Sequence, residues 1–281
     1  MRSALLGERV TILSQSCDGL SQYKLCGNWL KGEPGQKQAA IVFLHSLGGN
    51  KQEYNGLFLR LAGELCQRGY DCLRFDFAGC GESEGESKVY TPRQMLSDSS
   101  AALRFLKERN PGKSVHLVGY SLGGLIAILS LEACRSLVQS LTLLQAPYNL
   151  ALELKRRYPM GFDGVRTSVY INAPIFKMSK EFKAELESGE LAPSQALAAA
   201  RLKNLPVLHI EGENDLIVPV ERNSRDWQVF LDSQQASTTH HLLPGADHGF
   251  SKDSDVSRVI DLIGDFYKNQ EEHSERKDAK R

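Results

Sequence analysis

Apolar residues along this chain gather in short, mostly continuous runs rather than strictly alternating ones. Ala39 to Leu44, Tyr70 to Phe75, Val115 to Val118, Ser140 to Leu144 and Pro206 to Ile210 are each compact and closed by a polar residue or Gly (His45, Asp76, Gly119, Gln145 and Glu211). Runs of that kind are strands buried on both faces, as in a parallel sheet. Between them the spacing turns helical. Leu57, Phe58, Leu61 and Leu65 recur on one face until Gly69 stops the helix. Thr91-Pro92 opens another, with Thr as cap and Pro at the first helical position, and Leu96, Ser99, Leu103 and Leu106 as its expected buried face. Only the start differs: Glu8 to Ser14 and Tyr23 to Leu30, around a Cys17-Asp18-Gly19 turn, read as an antiparallel pair. The pattern predicts an α/β fold with helices on both faces of a mostly parallel sheet.

The rhythm breaks between Ala146 and Asn204, where Tyr148, Tyr158, Phe162, Tyr170, Phe176 and Phe182 are scattered among charges, Gly and Pro, and a polar helical run (Ser179 to Glu187) follows. This predicts a lid insertion over the strand ends, about residues 147–204, whose aromatics serve mainly its own packing. Val220 to Leu231 is then helical, Thr238 to Leu243 is the last strand, and Asp253 to Tyr267 is an amphipathic closing helix. Residues 1–268 therefore form a single domain, and the charged stretch 269–281 is expected to be disordered.

Composition narrows the partners. Lys+Arg and Asp+Glu balance at 34 each, so no bulk field draws in nucleic acid. No stretch offers the ~20 apolar residues of a membrane span, and Met1 to Arg9 lacks the apolar core of a signal peptide. The six cysteines show no Cys-x-x-Cys spacing, so neither a disulfide framework nor a metal site is expected, and a reducing, cytoplasmic setting fits.

The chemistry centres on Gly119-Tyr120-Ser121-Leu122-Gly123, between the apolar run at Val115 and a second one, Leu125 to Leu129. A serine on a sharp strand-to-helix turn, flanked by glycines, is a nucleophile elbow. A hydroxyl needs a base, and the base an orienting acid, in the order serine, acid, histidine. After the run ending at Ile210 comes Glu211-Gly212-Glu213-Asn214-Asp215, which makes Asp215 the acid, with Glu213 the lesser candidate. Of the histidines beyond it, His240 and His241 fall inside a strand and His273 in the tail. His248, in Pro244-Gly245-Ala246-Asp247-His248-Gly249, occupies a loop and is the expected base. Two amides must face a tetrahedral oxyanion. Leu122, directly after the nucleophile, supplies one, and Leu47, in the His45-Ser46-Leu47-Gly48-Gly49 loop, the other. No Gly-Lys-Ser/Thr follows that loop, which argues against a phosphate cradle. Cys80 has no neighbouring histidine and is expected to pack or border the site.

With these residues in place, the chain resembles the serine α/β-hydrolase superfamily, most of all the branch holding cinnamoyl/feruloyl esterases and serine aminopeptidase-like hydrolases. The matching pieces are His45 to Lys51, Asp76-Phe77-Ala78-Gly79-Cys80-Gly81-Glu82-Ser83, the elbow, Gly212 to Asp215 with Val218-Pro219, and Asp247-His248-Gly249-Phe250. The resemblance implies an eight-stranded α/β-hydrolase sheet, a Ser121/Asp215/His248 triad, an oxyanion hole from Leu47 and Leu122, a small lid, no cofactor, and a small-molecule ester or thioester as substrate. Two positions depart from the pattern: Ser46 stands where the family usually has Gly, and Cys80 where members often have His. An esterase working through an acyl-enzyme is the leading expectation. Acyl-thioesterase, acyltransferase and aminopeptidase-like amidase, the last needing acidic lid residues such as Glu153 or Glu181, remain open on the same triad. So does a non-catalytic binding protein on the same fold.

Overall fold

The computed structural model describes residues 6–33, 39–158, 166–167, 176–188 and 202–278. The chain opens with β1 (Glu8–Gln15) and β2 (Gln22–Leu30), paired antiparallel as expected. It then alternates: β3 (Ala39–Leu44), α1 (Leu57–Gln67), β4 (Asp71–Phe75), α2 (Pro92–Arg109), β5 (Ser114–Tyr120), α3 (Leu122–Leu129) and β6 (Val138–Leu144). After an inserted segment come β7 (Pro206–Gly212), α6 (Val220–Ser233), β8 (Ser237–Leu243) and α7 (Asp253–Asp278); the insert carries α4 (Leu150–Arg157) and α5 (Lys180–Glu187). The eight long strands form one sheet, ordered β1-β2-β4-β3-β5-β6-β7-β8, parallel from β4 onward.

Why the central strands read as continuous apolar runs is visible in β3. Ala40, Val42 and Leu44 point into one core, and Ala39, Ile41 and Phe43 into the other. The first core is closed by α2, α3 and α6 through Leu103, Ile126 and Trp227. The second is closed by α1 and α7 through Leu61 and Ile263. Exposed β1 instead alternates, burying Val10, Ile12 and Ser14 only.

Two expectations are corrected. On α2 Ser99, Leu103 and Leu106 are buried as expected, but the buried face extends to Met95, Asp98 and Ala102, and Leu96 is only half-buried. Asp98 takes an interior position because it accepts from the Ser14 hydroxyl (2.6 Å), the Ala78 amide (2.8 Å) and the Gln94 amide group (2.8 Å). Polar groups buried with partners can occupy core-facing positions. The closing helix does not stop at Tyr267 but runs to Asp278, through a stretch expected to be disordered. Its Glu, Gln, Lys and Arg residues are good helix formers, and Glu271 hydrogen-bonds the phenol of buried Tyr70, which fixes the next turn to the domain.

Of the aromatics in the segment expected as a lid, Tyr148 packs edge-on against Trp227, and Phe182 stacks on Tyr90 with ring centroids 6.1 Å apart. Phe162 and Tyr170 lie outside the described residues. The Arg93 amide donates to Glu185 of α5 at 2.8 Å, holding that helix to the start of α2.

Buried imidazoles make the fold acid-sensitive, His116 the furthest shifted of them. His116 on β5 is buried between the Ser140 hydroxyl (2.7 Å) and the Tyr267 ring (4.3 Å between centroids), neither charged at neutral pH. Burial pushes its imidazole down to about 3 from an ordinary 6.5. The folded state therefore holds it neutral where the unfolded chain protonates it, so its stabilisation is complete above pH 6.5 and is lost as pH falls toward 3. His45, pushed down to about 4 chiefly by burial, acts in the same sense. Asp98, raised to about 6 by burial, opposes them. His116→Gln should lower the slope of unfolding free energy against pH by up to one proton, ~1.4 kcal/mol per pH unit, in urea melts between pH 6 and pH 4. An unchanged slope would contradict a buried neutral imidazole.

Candidate active site

The ends of β3, β5, β7 and β8 carry the loops in which chemistry was expected, and the parallel sheet brings them to one edge. Leu44 of β3 lies opposite Gly119 of β5, and Tyr120 opposite Leu144 of β6. Ser121 follows directly, with φ 52° and ψ −122°, a backbone region L-residues rarely occupy. Such strain costs on the order of 1–3 kcal/mol and needs surroundings that enforce it. The Ser121 amide donates to the Leu144 carbonyl at 2.8 Å, and the Ser121 carbonyl accepts from Gly124 at 2.9 Å.

The glycines leave no room for substitution. A Cβ on Gly119 would overlap the Gly123 carbonyl, and one on Gly123 would overlap the Leu44 carbonyl. A Cβ on Gly124 would come within 2.5 Å of the Ala146 side chain. The elbow is thus wedged between the ends of β3 and β6, which sets Ser121 and Leu122 against the His45 loop.

Three of the expected residues meet. His248 Nε2 stands 3.1 Å from Ser121 Oγ, and His248 Nδ1 stands 2.6 Å from Asp215 Oδ2. The other Asp215 oxygen accepts from the Ile217 and Val218 amides, both at 2.8 Å, so its carboxylate is held from both sides. Tyr120 donates its hydroxyl to the His248 carbonyl at 2.7 Å, and its ring lies 5.5 Å from the imidazole. Ser121 is 9% exposed and His248 4%, so the relay is sheltered from bulk water. A hydroxyl, an imidazole and a doubly anchored carboxylate in this order can pass a proton from oxygen to nitrogen and stabilise the resulting imidazolium.

Leu122 is the first residue of α3, and Leu47 lies in the loop after β3, whose start at Leu44 and His45 the elbow abuts. Glu213, the lesser acid candidate, turns away: it accepts from the Gly245 amide at 3.0 Å and braces the two loops instead. Cys80 is buried in the core, where desolvation raises its thiol well above the ordinary value. It packs.

Sequence reasoning missed the braces. Glu53 is buried under the Leu47 loop and accepts from both the amide and the hydroxyl of Ser46, each at 2.7 Å, and from the Tyr54 amide at 3.1 Å. Burial pushes its carboxyl up; the donors at Ser46 and Tyr54, and nearby His248, pull it back. Ser46 thus replaces the family's usual Gly without a left-handed backbone and gains an anchor for its side chain. Lys51 reaches Asp76 (2.6 Å) and Glu82, joining this loop to the one after β4. Gln145 spans the other side: its carbonyl accepts from the Gly212 amide at 2.9 Å, and its amino group donates to the Asp247 carbonyl at 2.8 Å. Its signal in the sequence was only its place, immediately after a buried strand.

Comparison with known proteins agrees with this architecture. Residues 35–188 match the model of the family described as "Serine aminopeptidase, S33". That span holds Ser121 and the Leu47 loop; Asp215 and His248 lie beyond it. The human palmitoyl-protein thioesterase ABHD10, a mitochondrial protein, is 25% identical over 241 residues, covering 82% of this chain and 73% of its own length. Among solved structures, Est1E from Butyrivibrio proteoclasticus with bound ferulic acid superposes with a TM-score of 0.65 at 19% identity, covering 93% of this chain and 98% of its own. The Pyrococcus furiosus esterase Pf2001 also gives 0.65, at 20% identity over 96% and 94% of the two chains. At those identities the two structures speak for the fold. Since the family model spans more than half of the chain, and the sheet order and elbow agree with it, the protein belongs to the serine aminopeptidase S33 family of α/β hydrolases.

Proposed function

We propose that this protein is a serine hydrolase that cleaves small to medium carboxylic esters through an acyl-enzyme. The observation that carries the reading is the continuous relay from Ser121 Oγ through His248 to Asp215, at 3.1 and 2.6 Å. In this reading Ser121 attacks the ester carbonyl while His248 takes its proton at Nε2. The carbonyl oxygen becomes an oxyanion facing the Leu47 and Leu122 amides, aided by the positive end of the α3 dipole. Collapse expels the alcohol, which takes the proton back from His248. Water then attacks the acyl-enzyme, giving its proton to His248, and the acid leaves as Ser121 is reprotonated. Asp215 holds the imidazole tautomer and stabilises its charged form.

Thioester cleavage is the second reading, favoured by the likeness to a palmitoyl-protein thioesterase. The same acyl-enzyme serves both, and a thiolate leaves more readily than an alkoxide. An amine-reading pocket finds less support, because Glu153 is already paired with Arg156 at 3.0 Å. A purely binding role finds little, since all three positions of the relay hold reactive side chains.

Ser121→Ala should abolish turnover of p-nitrophenyl acyl esters and all labelling by a fluorophosphonate probe. Persistent labelling of that variant would show that another residue is the nucleophile. Parallel assays with an acyl-CoA and with the matching simple ester would separate the two readings.

Glu53 should matter through the loop it anchors. Gln at position 53 offers one acceptor where three donors converge, and a buried donor left unpaired costs about 1–3 kcal/mol. Glu53→Gln should lower stability by that amount and reduce kcat about tenfold with KM little changed, because the Leu47 amide would lose its aim. A normal kcat in a folded variant would detach Glu53 from oxyanion positioning.

A further inference from the structure

Among the described residues, three side chains that could ligate a metal, two of them buried, converge away from the relay. His209 of β7 lies directly opposite His240 of β8 in parallel register, so both imidazoles leave the sheet on the same face. Glu211, two residues beyond His209, shares that face. One donor atom from each of the three lies within 4.8 Å of the others. His240 Nε2 is 2.9 Å from Glu211 Oε2, and the two imidazole rings stand 5.1 Å apart.

The arrangement is incomplete as a hydrogen-bonded cluster. His209 is 2% exposed, and its Nε2 has no hydrogen-bond partner among the described residues. Glu211 Oε1 is 3.7 Å from it, too far for a hydrogen bond. An orphaned buried nitrogen costs about 1–3 kcal/mol, and here it is aimed at a carboxylate and a second imidazole. Those are the donors a transition metal takes. We propose that His209, Glu211 and His240 form a binding site for a divalent transition metal, with Zn²⁺ the ion that fits best.

Two histidines and a glutamate are a common three-residue Zn²⁺ ligand set. Bonds of about 2.0–2.2 Å put tetrahedral ligands roughly 3.3–3.6 Å apart, so His209 and Glu211, at 3.7 Å, already stand near that spacing, and His240 and Glu211, at 2.9 Å, would part slightly around the ion. The fourth position opens to water on the His240 side, where that side chain is 37% exposed. The Ser224 hydroxyl stands 3.4 Å from His240 Nε2 on the same side. The outer shell is already built. Asn223 donates to Glu211 Oε1 at 2.8 Å and to the Ala146 carbonyl at 2.9 Å, fixing the carboxylate, and the Trp227 ring lies edge-on to His209 at 5.9 Å. Supporting contacts of this kind orient ligands and raise affinity. Burial also pushes the His209 imidazole down to about 4, which leaves it in the neutral, metal-binding form at physiological pH. The ion would join the last two strands, and it takes no part in the relay at Ser121.

The test uses the full chain, free of any polyhistidine tag and stripped with chelator, titrated with Zn²⁺ against a chromophoric chelator. The expected result is one equivalent bound in the micromolar range or tighter, with a rise in Tm on metal addition. His240→Ala, at a partly exposed position that the fold tolerates, should weaken binding by about 100-fold and remove the Tm rise. Glu211→Gln should do the same, and Co²⁺ should give the visible spectrum of a tetrahedral nitrogen–oxygen site. His248→Ala guards against binding at the relay and should leave the affinity unchanged. Absence of stoichiometric binding to the wild type, equal affinity in His240→Ala, or loss of binding in His248→Ala would each overturn the proposal. None of these readouts depends on ester turnover.

Discussion

Everything at the functional edge depends on how closely the elbow can approach its neighbours. Gly119, Gly123 and Gly124 allow the turn after β5 to press against the Leu44 carbonyl on one side and Ala146 on the other. The first of these contacts is backbone on backbone and the second is with a methyl group one bond from the backbone, so neither can yield. It places Ser121 at a fixed height above the sheet and holds it at φ 52°, a conformation the residue would abandon if the surroundings relaxed. The sheet beneath is buried on both faces, so it does not bend to accommodate a bulkier turn. The strain is thereby borne by two hydrophobic cores rather than by the loop itself.

The loops around this fixed point are stiffened by polar groups in the interior. His45 is a clear case: Phe77 donates its amide to Nε2 at 3.1 Å, and Nδ1 lies 2.9 Å from the Ser46 carbonyl. One ring therefore ties the loop after β3 to the loop after β4, and stacks on Tyr90 as well. Lys51 repeats the connection with charge. Its ammonium and amide both reach Asp76, and Glu82 closes the cluster from the solvent side. A buried ion pair adds little net stability against an apolar replacement, but losing one partner strands the other at several kcal/mol. Such pairs favour one loop geometry over its alternatives. In the reaction proposed for Ser121, donors would have to be aimed at an oxyanion within tenths of an ångström, and geometry is then the property that matters.

How much of this could be read beforehand follows from what each feature depends on. The central strands were legible because burial on both faces leaves them no polar alternation to hide in. The Ser121, Asp215 and His248 positions were legible because chain order and strand-end location restrict the candidates to very few. Glu53 and Gln145 were not, since their roles exist only across strands: Gln145 is an unremarkable residue until Gly212 and Asp247 are brought to it. The extent of α7 escaped for a related reason. A charged segment reads as solvated by composition, yet the contact between Glu271 and Tyr70 lies between residues far apart in the chain. Local spacing carries no information about either.

The histidine–glutamate cluster belongs with these register-dependent features. His209 and His240 are separated by an entire helix, so no ligand-spacing motif marks them, and each alone reads as a strand histidine that packs. Parallel pairing of β7 with β8 makes them neighbours. The same strand carries its chain on to Gly212 and the loop of Asp215, and Asn223 ties Glu211 to the Ala146 carbonyl and the Tyr148 amide, where the inserted segment departs. β7 thus serves two purposes with one alternation of side chains. Leu208 and Ile210 fill the core shared with α7, while His209 and Glu211 face α6. A polar cluster at that place is costly to bury, and the strand accommodates it because the opposite face supplies the apolar contacts that hold it in the sheet.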